Sequence, residues 1–238
     1  MQKTLARSMW VFVGLALVLV GIKLLFDYYP GDFPHRSQAA AFTWPLVGGM
    51  IAFALAGLFA DRAAGLPEPF SNLAREQQAA AVAVITGVIY GVITVGMDVW
   101  FTTRTAIGGP GAWIHMALPW SIPFYTFGAI FLEFMLRLGA LCIAFWFLHV
   151  VIFRRQLPLL IFWLVAAVVA LYEIWPLIAD DVWAGRWEPA LRGLLGPLYL
   201  SNVFEGWLVW RYGWFSPVVF RLAFYLVWHI LYGGLAGP

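Results

Sequence analysis

Residues 127–141 read FGAIFLEFMLRLGAL. Every residue is apolar or glycine except two, Glu133 and Arg137, which are four positions apart and share one face of a helix. The apolar run continues on both sides, from about residue 121 to about residue 153. A helix crossing a hydrocarbon core of about 30 Å needs roughly 20 such residues. Six further runs of this kind lie at 8–29, 41–60, 79–99, 157–178, 190–211 and 214–236. The pattern predicts an all-α, polytopic membrane helix bundle of seven transmembrane helices. The run 121–153 exceeds a simple crossing, so it tilts, kinks or projects.

Composition excludes the common alternatives. Of 238 residues, 63% are apolar and 11% are charged, against about 45–50% and about 25% in a typical soluble domain. A net charge of +2 without Lys/Arg blocks speaks against nucleic acid. Cys142 is the only cysteine, which excludes an intrachain disulfide and a cysteine-based metal site. His35, His115, His149 and His229 are scattered, with no HExxH pair. No metal and no cofactor is expected. His35 and His115 read as solvated loop residues, and His149, in FWFLHVVIFRR, as a residue of the inner interface.

Orientation follows the Lys/Arg bias of the loops. With the N-terminus inside, the inner loops hold Lys3, Arg7, Arg62, Arg75, Arg154, Arg155 and Arg211. The outer loops hold Arg36, Arg104, Arg186 and Arg192. This favours N-in and C-out. The first run reads as a retained signal anchor, since it is too long for a signal peptide and lacks a small-x-small cleavage site. Lys23, near its far end, is placed to snorkel to the interface. The clearest cytoplasmic loop is 61–78, DRAAGLPEPFSNLAREQQ, where Pro67 and Pro69 break any helix. The outer loops GDFPHRS, TAIGGPGAW and DDVWAGRWEP are rich in Trp, Pro and Gly. The small-residue stripes Gly87/Gly91 and Gly48/Ala52/Ala56 predict close helix packing.

Ionisable residues inside a membrane cost at least about 2.5–3.5 kcal/mol each on insertion scales, so each needs a reason. The candidates are Asp98, Glu133, Arg137, Glu173, Glu205, Arg221 and His229. Asp98 reads as a solvated helix end. Glu133 and Arg137 are spaced to pair with each other. The acids Glu133, Glu173 and Glu205 nearly match the bases Arg137 and Arg221, so mutual neutralisation is the simplest reading. On these spans Glu173 lies toward the outer side and Arg221 toward the inner half.

The stretches 127–141 and 204–231, FEGWLVWRYGWFSPVVFRLAFYLVWHIL, resemble the CPBP family, also called Abi, which holds the type II CAAX prenyl proteases. The resemblance covers about 121–236. It implies a four-helix catalytic core at 121–238 behind a three-helix portion at 1–120. The family carries an EExxxR motif, a helix-ending His (FxxxH), and a last helix with HxxxN or HxxxD. By that alignment the second Glu of EExxxR is Glu133 and its Arg is Arg137, while the first Glu position holds Leu132. The second-motif His position holds Glu173, the third-motif His position holds Arg221, and its Asn/Asp position holds Tyr225. His229 follows eight residues after Arg221 and is a possible helper.

The resemblance implies a Glu-activated water with histidines holding the oxyanion or a metal. Here both motif histidines are replaced. Arg221 cannot shuttle protons at neutral pH, and Glu173 adds negative charge where an oxyanion would form. The joint exchange predicts that Glu173 and Arg221 pair and fill the old cavity, with Glu133 and Arg137 alongside. The leading expectation is therefore an inactive, CPBP-like accessory or scaffold subunit of a complex in a prokaryotic cytoplasmic membrane, with lipid and membrane proteins as partners. One alternative is an active intramembrane endopeptidase with Glu133 as base and His229, Arg221 or Arg137 as helpers. The other is a transporter or a lipid- or pigment-binding protein.

Overall fold

The computed structural model describes residues 2–29, 39–100, 116, 118–185 and 197–234. Among them there is no strand. The helices are α1 (Gln2–Tyr28), α2 (Trp44–Ala64), α3 (Leu73–Trp100), α4 (Ser121–Ile152), α5 (Pro158–Trp183), α6 (Pro197–Tyr212) and α7 (Phe215–Gly233). Helices are what lipid demands, because only there does each backbone N–H and C=O find its partner within the segment. Among the described residues, six helices are long and apolar enough to cross a membrane. The chain is a multi-pass integral membrane protein.

The predicted span 190–211 falls on α6. Its described part begins at Pro197 and has 16 residues. Residues 190–196 lie outside the described part. So do His35, His115, the outer-loop arginines, the loops GDFPHRS and TAIGGPGAW, residues 186–189 of DDVWAGRWEP, and the side chain of Asp98.

The long fourth helix is not a uniform α-helix. Its turns widen to π-helix over Phe134–Leu141 and again over Phe147–Ile152. The end of α7, Leu226–Gly233, is π-helical as well. Such widened turns recur at functional sites.

The segment predicted as one loop, 61–78, is mostly helix. The second helix runs on to Ala64 and is closed by Gly65 in the left-handed conformation. The third starts at Leu73, where the Asn72 side chain accepts from Ala74 N and Arg75 N at 3.0 and 3.3 Å. The short link between them and the helix ends that flank it are tied to three neighbours. Ser8 Oγ donates to Pro69 O at 3.2 Å, Arg75 donates to the Arg211 carbonyl, and Arg155 donates to Ala63 O at 3.1 Å. Arg62, Arg75, Arg155 and Arg211, all assigned to inner loops by sequence, thus gather at one end of the bundle.

Gly213, in the turn between α6 and α7, fits against this link. Its φ is +95°, and a Cβ there would stand 2.3 Å from Pro67 O. Gly213→Ala should cost about 1–2 kcal/mol for the backbone conformation and about 1–3 kcal/mol more for overpacking. Gly65→Ala, with φ +78° but open space around it, carries only the first cost. Thermal melts of the two purified variants should show the larger drop for Gly213→Ala.

The core is built from aromatic rings. Phe12 of α1 stacks on Phe134 of α4 with centroids 4.9 Å apart. Phe42 meets Phe127 at 4.8 Å, and Phe162 of α5 meets Trp210 of α6 at 4.8 Å. One apolar core therefore joins residues of 1–120 to those of 121–238. Of the two small-residue stripes, one packs as predicted. A Cβ on Gly87 would lie 2.5 Å from Phe220 O of α7, and one on Gly91 2.7 Å from Val227 Cβ. The other is corrected: Gly48, Ala52 and Ala56 are exposed, and α2 packs through Val47, Met50, Ala54, Gly57, Leu58 and Asp61. A helix apolar all round offers no amphipathic signal, so small residues alone do not mark the packed side.

Lys23 is also corrected. It does not snorkel but is buried, ion-paired with Asp27 one turn on and 5.4 Å from the centre of the Trp44 ring. With a partner within one turn, the ammonium has no need to reach water.

Candidate functional site

Four helices bring polar side chains to one place. Glu133 and Arg137 come from α4, Glu173 from α5, Asn202 and Glu205 from α6, and Arg221 from α7. The Arg221 guanidinium occupies the centre. Its Nε donates to Glu133 Oε1 at 2.5 Å, and its Nη1 to Glu173 Oε1 at 2.6 Å. Its Nη2 donates to Glu205 Oε2 at 2.5 Å and to Asn202 Oδ1 at 3.2 Å. Arg137 Nη2 donates to Glu173 Oε2 at 3.0 Å and also to Glu205 Oε2. The rigid, always-charged fork of arginine suits this role, since one planar group satisfies several carboxylates at fixed angles.

The cluster is deep. Glu133, Arg137 and Glu205 are 1% exposed and Arg221 is 3% exposed. The Glu173 side chain, at 12%, is the most open of the five charged groups. Not every atom is satisfied: Glu133 Oε2, Arg137 Nε and Arg137 Nη1 are buried with no hydrogen-bond partner among the described residues. In α5, Pro176 has no N–H to give to the carbonyl of Tyr172, the residue before Glu173.

The structure thus brings together Glu133, Arg137, Glu173, Glu205 and Arg221, and it pairs Glu173 with Arg221 directly. The direct contact places the two side chains at one level of the bundle, which the predicted spans do not. One pairing differs from the sequence reading. Glu133 bonds Arg221, while Arg137 turns to Glu173 and Glu205. Arg137 stands in the widened π-helical stretch that begins right after Glu133, so the pair does not follow α-helical spacing.

The remaining motif positions are accounted for. Leu132 is a partly buried member of the apolar core. The Tyr225 ring centre lies 5.9 Å from the Arg221 guanidinium, a cation–π contact. His229 stacks on Tyr125 with centroids 4.1 Å apart, between Trp228 at 4.1 Å and Tyr225 at 4.7 Å. An apolar groove of about 480 Å³ runs between α4 and α7, lined by Ile122, Tyr125, Thr126, Leu222, Tyr225 and Leu226 among others. Neither Glu133 nor His229 lines it.

His149 lies in the last turn of the fourth helix. It is buried, stacked on Phe145 at 5.0 Å. The aromatic ring one turn before it holds the imidazole inward.

Two polar residues were missed in the sequence. Asp61, assigned to a loop, is buried on the packed face of α2 with Oδ1 3.7 Å from Cys142 Sγ. The same sulfur lies 3.1 Å from Arg137 O. The signal available was spacing, because Asp61 is one turn beyond Gly57, on the same helix face. Asn202, three residues before Glu205, likewise shares its face.

Among the described residues, no group of three or more His, Cys, Asp or Glu is arranged to hold a metal ion. What the arrangement does chemically is lock four helices through one guanidinium. It presents no carboxylate to the groove. In comparisons with known proteins, the chain matches no family model, no curated protein and no solved structure.

Proposed function

We propose that this is a non-catalytic, CPBP-like protein of a prokaryotic cytoplasmic membrane that serves as an accessory or scaffold subunit of a membrane complex. One observation carries the reading: the Arg221 guanidinium sits between Glu133, Glu173 and Glu205. A hydrolase of this kind needs a base within reach of a water, and donors aimed at the developing oxyanion. Here Glu133 gives one oxygen to Arg221, and its other oxygen is buried away from the groove. His229, a candidate helper, is held by aromatic rings on three sides. With its polar groups turned inward, the bundle offers mainly apolar helix faces to lipid and to other membrane proteins.

The test is purification in mild detergent from the organism that encodes the chain, followed by mass spectrometry, with a parallel peptidase assay on prenylated peptides. The expected result is a stoichiometric membrane complex and no cleavage above that of Glu133→Gln. Cleavage by the wild-type protein that Glu133→Gln abolishes would overturn the proposal in favour of an active endopeptidase.

A further inference from the structure

The charges of the cluster do not balance. Glu133, Glu173 and Glu205 bring three negative charges, and Arg137 and Arg221 bring two positive ones. A guanidinium does not deprotonate in proteins. An uncompensated charge in an apolar interior is expensive enough that a titratable group takes the neutral form instead. The hydrogen bonds show which carboxyls have room for a proton. Glu173 commits both oxygens, one to each arginine. Among the described residues, the bonds to Glu205 fall on Oε2. Glu133 uses Oε1 only, and its Oε2 is buried without a partner among the described residues.

We propose that the cluster is a proton-binding site, in which one proton shared by Glu133 and Glu205 brings the five side chains to neutrality. The new O–H bond forms on an oxygen that no guanidinium engages. The other oxygen of each carboxyl continues to accept from arginine, so the ion-pair lattice survives both protonation and release. Glu173, the member most open to its surroundings, marks the side from which the proton exchanges. This inference is independent of whether the protein has a partner or an activity.

The surroundings favour the neutral state. Around the two carboxyls stand Arg137 of α4, Glu173 of α5, Asn202 of α6, and Arg221 and Tyr225 of α7. From the other helices, α1 brings Phe12 against Phe134, and α3 brings Tyr90 against Phe204 and Phe220. Asp61 of α2 contacts Cys142, whose sulfur touches the backbone of Arg137. No cation beyond the two arginines is in that shell among the described residues.

Infrared spectroscopy of the purified protein tests this. Asp61 is another buried carboxyl, so the measurement uses the Asp61→Asn variant. The expected result is a protonated-carboxyl C=O band at neutral pH that shifts in D₂O and disappears at alkaline pH. Adding Glu133→Gln or Glu205→Gln should remove it, because the amide supplies the neutrality. Thermal melts give the second readout. A proton that the folded protein binds and the unfolded chain releases stabilises the fold, and its contribution fades as pH rises. Wild-type stability should therefore fall toward alkaline pH relative to Glu133→Gln, with a slope of one proton. Absence of the band in Asp61→Asn protein, or its persistence unchanged in both Gln variants, would overturn the proposal. If one Gln variant fails to fold, the other, together with the pH titration of the band, decides.

Discussion

Arg221→Met is expected to lower the melting temperature of the detergent-purified protein more than any other single replacement in the cluster. The guanidinium holds three carboxylates at once. Methionine roughly fills the space but leaves Arg137 to face Glu133, Glu173 and Glu205 alone. Removing one partner of a buried ion pair costs about 3–5 kcal/mol. That is a large part of the about 5–15 kcal/mol by which a folded domain is stable. The 14 tryptophans make fluorescence melting a direct measurement. Removing a stranded carboxylate should then recover part of the loss. Glu173→Gln or Glu133→Gln in the Arg221→Met background should cost less than in the wild type, by a coupling of about 1–3 kcal/mol. Strictly additive losses would show that the ion pairs do not act as one unit.

The second large effect is expected at Gly57, where α2 packs against α4. A Cβ on Gly57 would stand 1.8 Å from Leu138 O and 2.5 Å from Leu138 C. Both are backbone atoms of the π-helical stretch of α4, so no side-chain rotation relieves the clash. Gly57→Ala must push α2 away from α4, at the upper end of the about 1–3 kcal/mol typical of overpacking. The shift would also part Asp61 from Cys142. Gly48→Ala on the same helix meets nothing within 4 Å and should leave the melting temperature unchanged. Equal effects of the two substitutions would mean that α2 and α4 are not packed as described.

The comparison of Gly57 with Gly48 also shows where sequence reading stopped. Apolar run length located the membrane helices well, because the need to satisfy backbone groups in lipid leaves helices as the solution. Which face of each helix packs was not legible, since a helix apolar all round has no polar side to read. Gly87 and Gly91 were read correctly, and the Gly48 stripe was read on the wrong face. The charged site was the most legible part. Glu133, Arg137, Glu173, Glu205 and Arg221 stand out because a charge within an apolar run needs a partner. Their partners were less legible. Glu133 and Arg137 have α-helical pairing distance, yet the widened turn that begins at Phe134 sends them to different helices. Asp61 and Asn202 escaped notice because one lies at a helix end and the other is uncharged. Nothing in the linear sequence says that either side chain turns inward.

The pairing of Glu133 with Arg221 has a consequence for how the protein is made. The two residues are 88 positions apart in the chain. At about 5–20 residues per second of ribosomal synthesis, the partner of Glu133 emerges roughly 4–18 s after Glu133 itself. Throughout that interval the nascent fourth helix carries a carboxylate and a guanidinium with α7 still unmade. Their spacing lets them shield each other temporarily, and the finished contacts require that this early pair be given up. Insertion is therefore expected to exchange partners, with the arrival of α7 releasing the pair formed within α4.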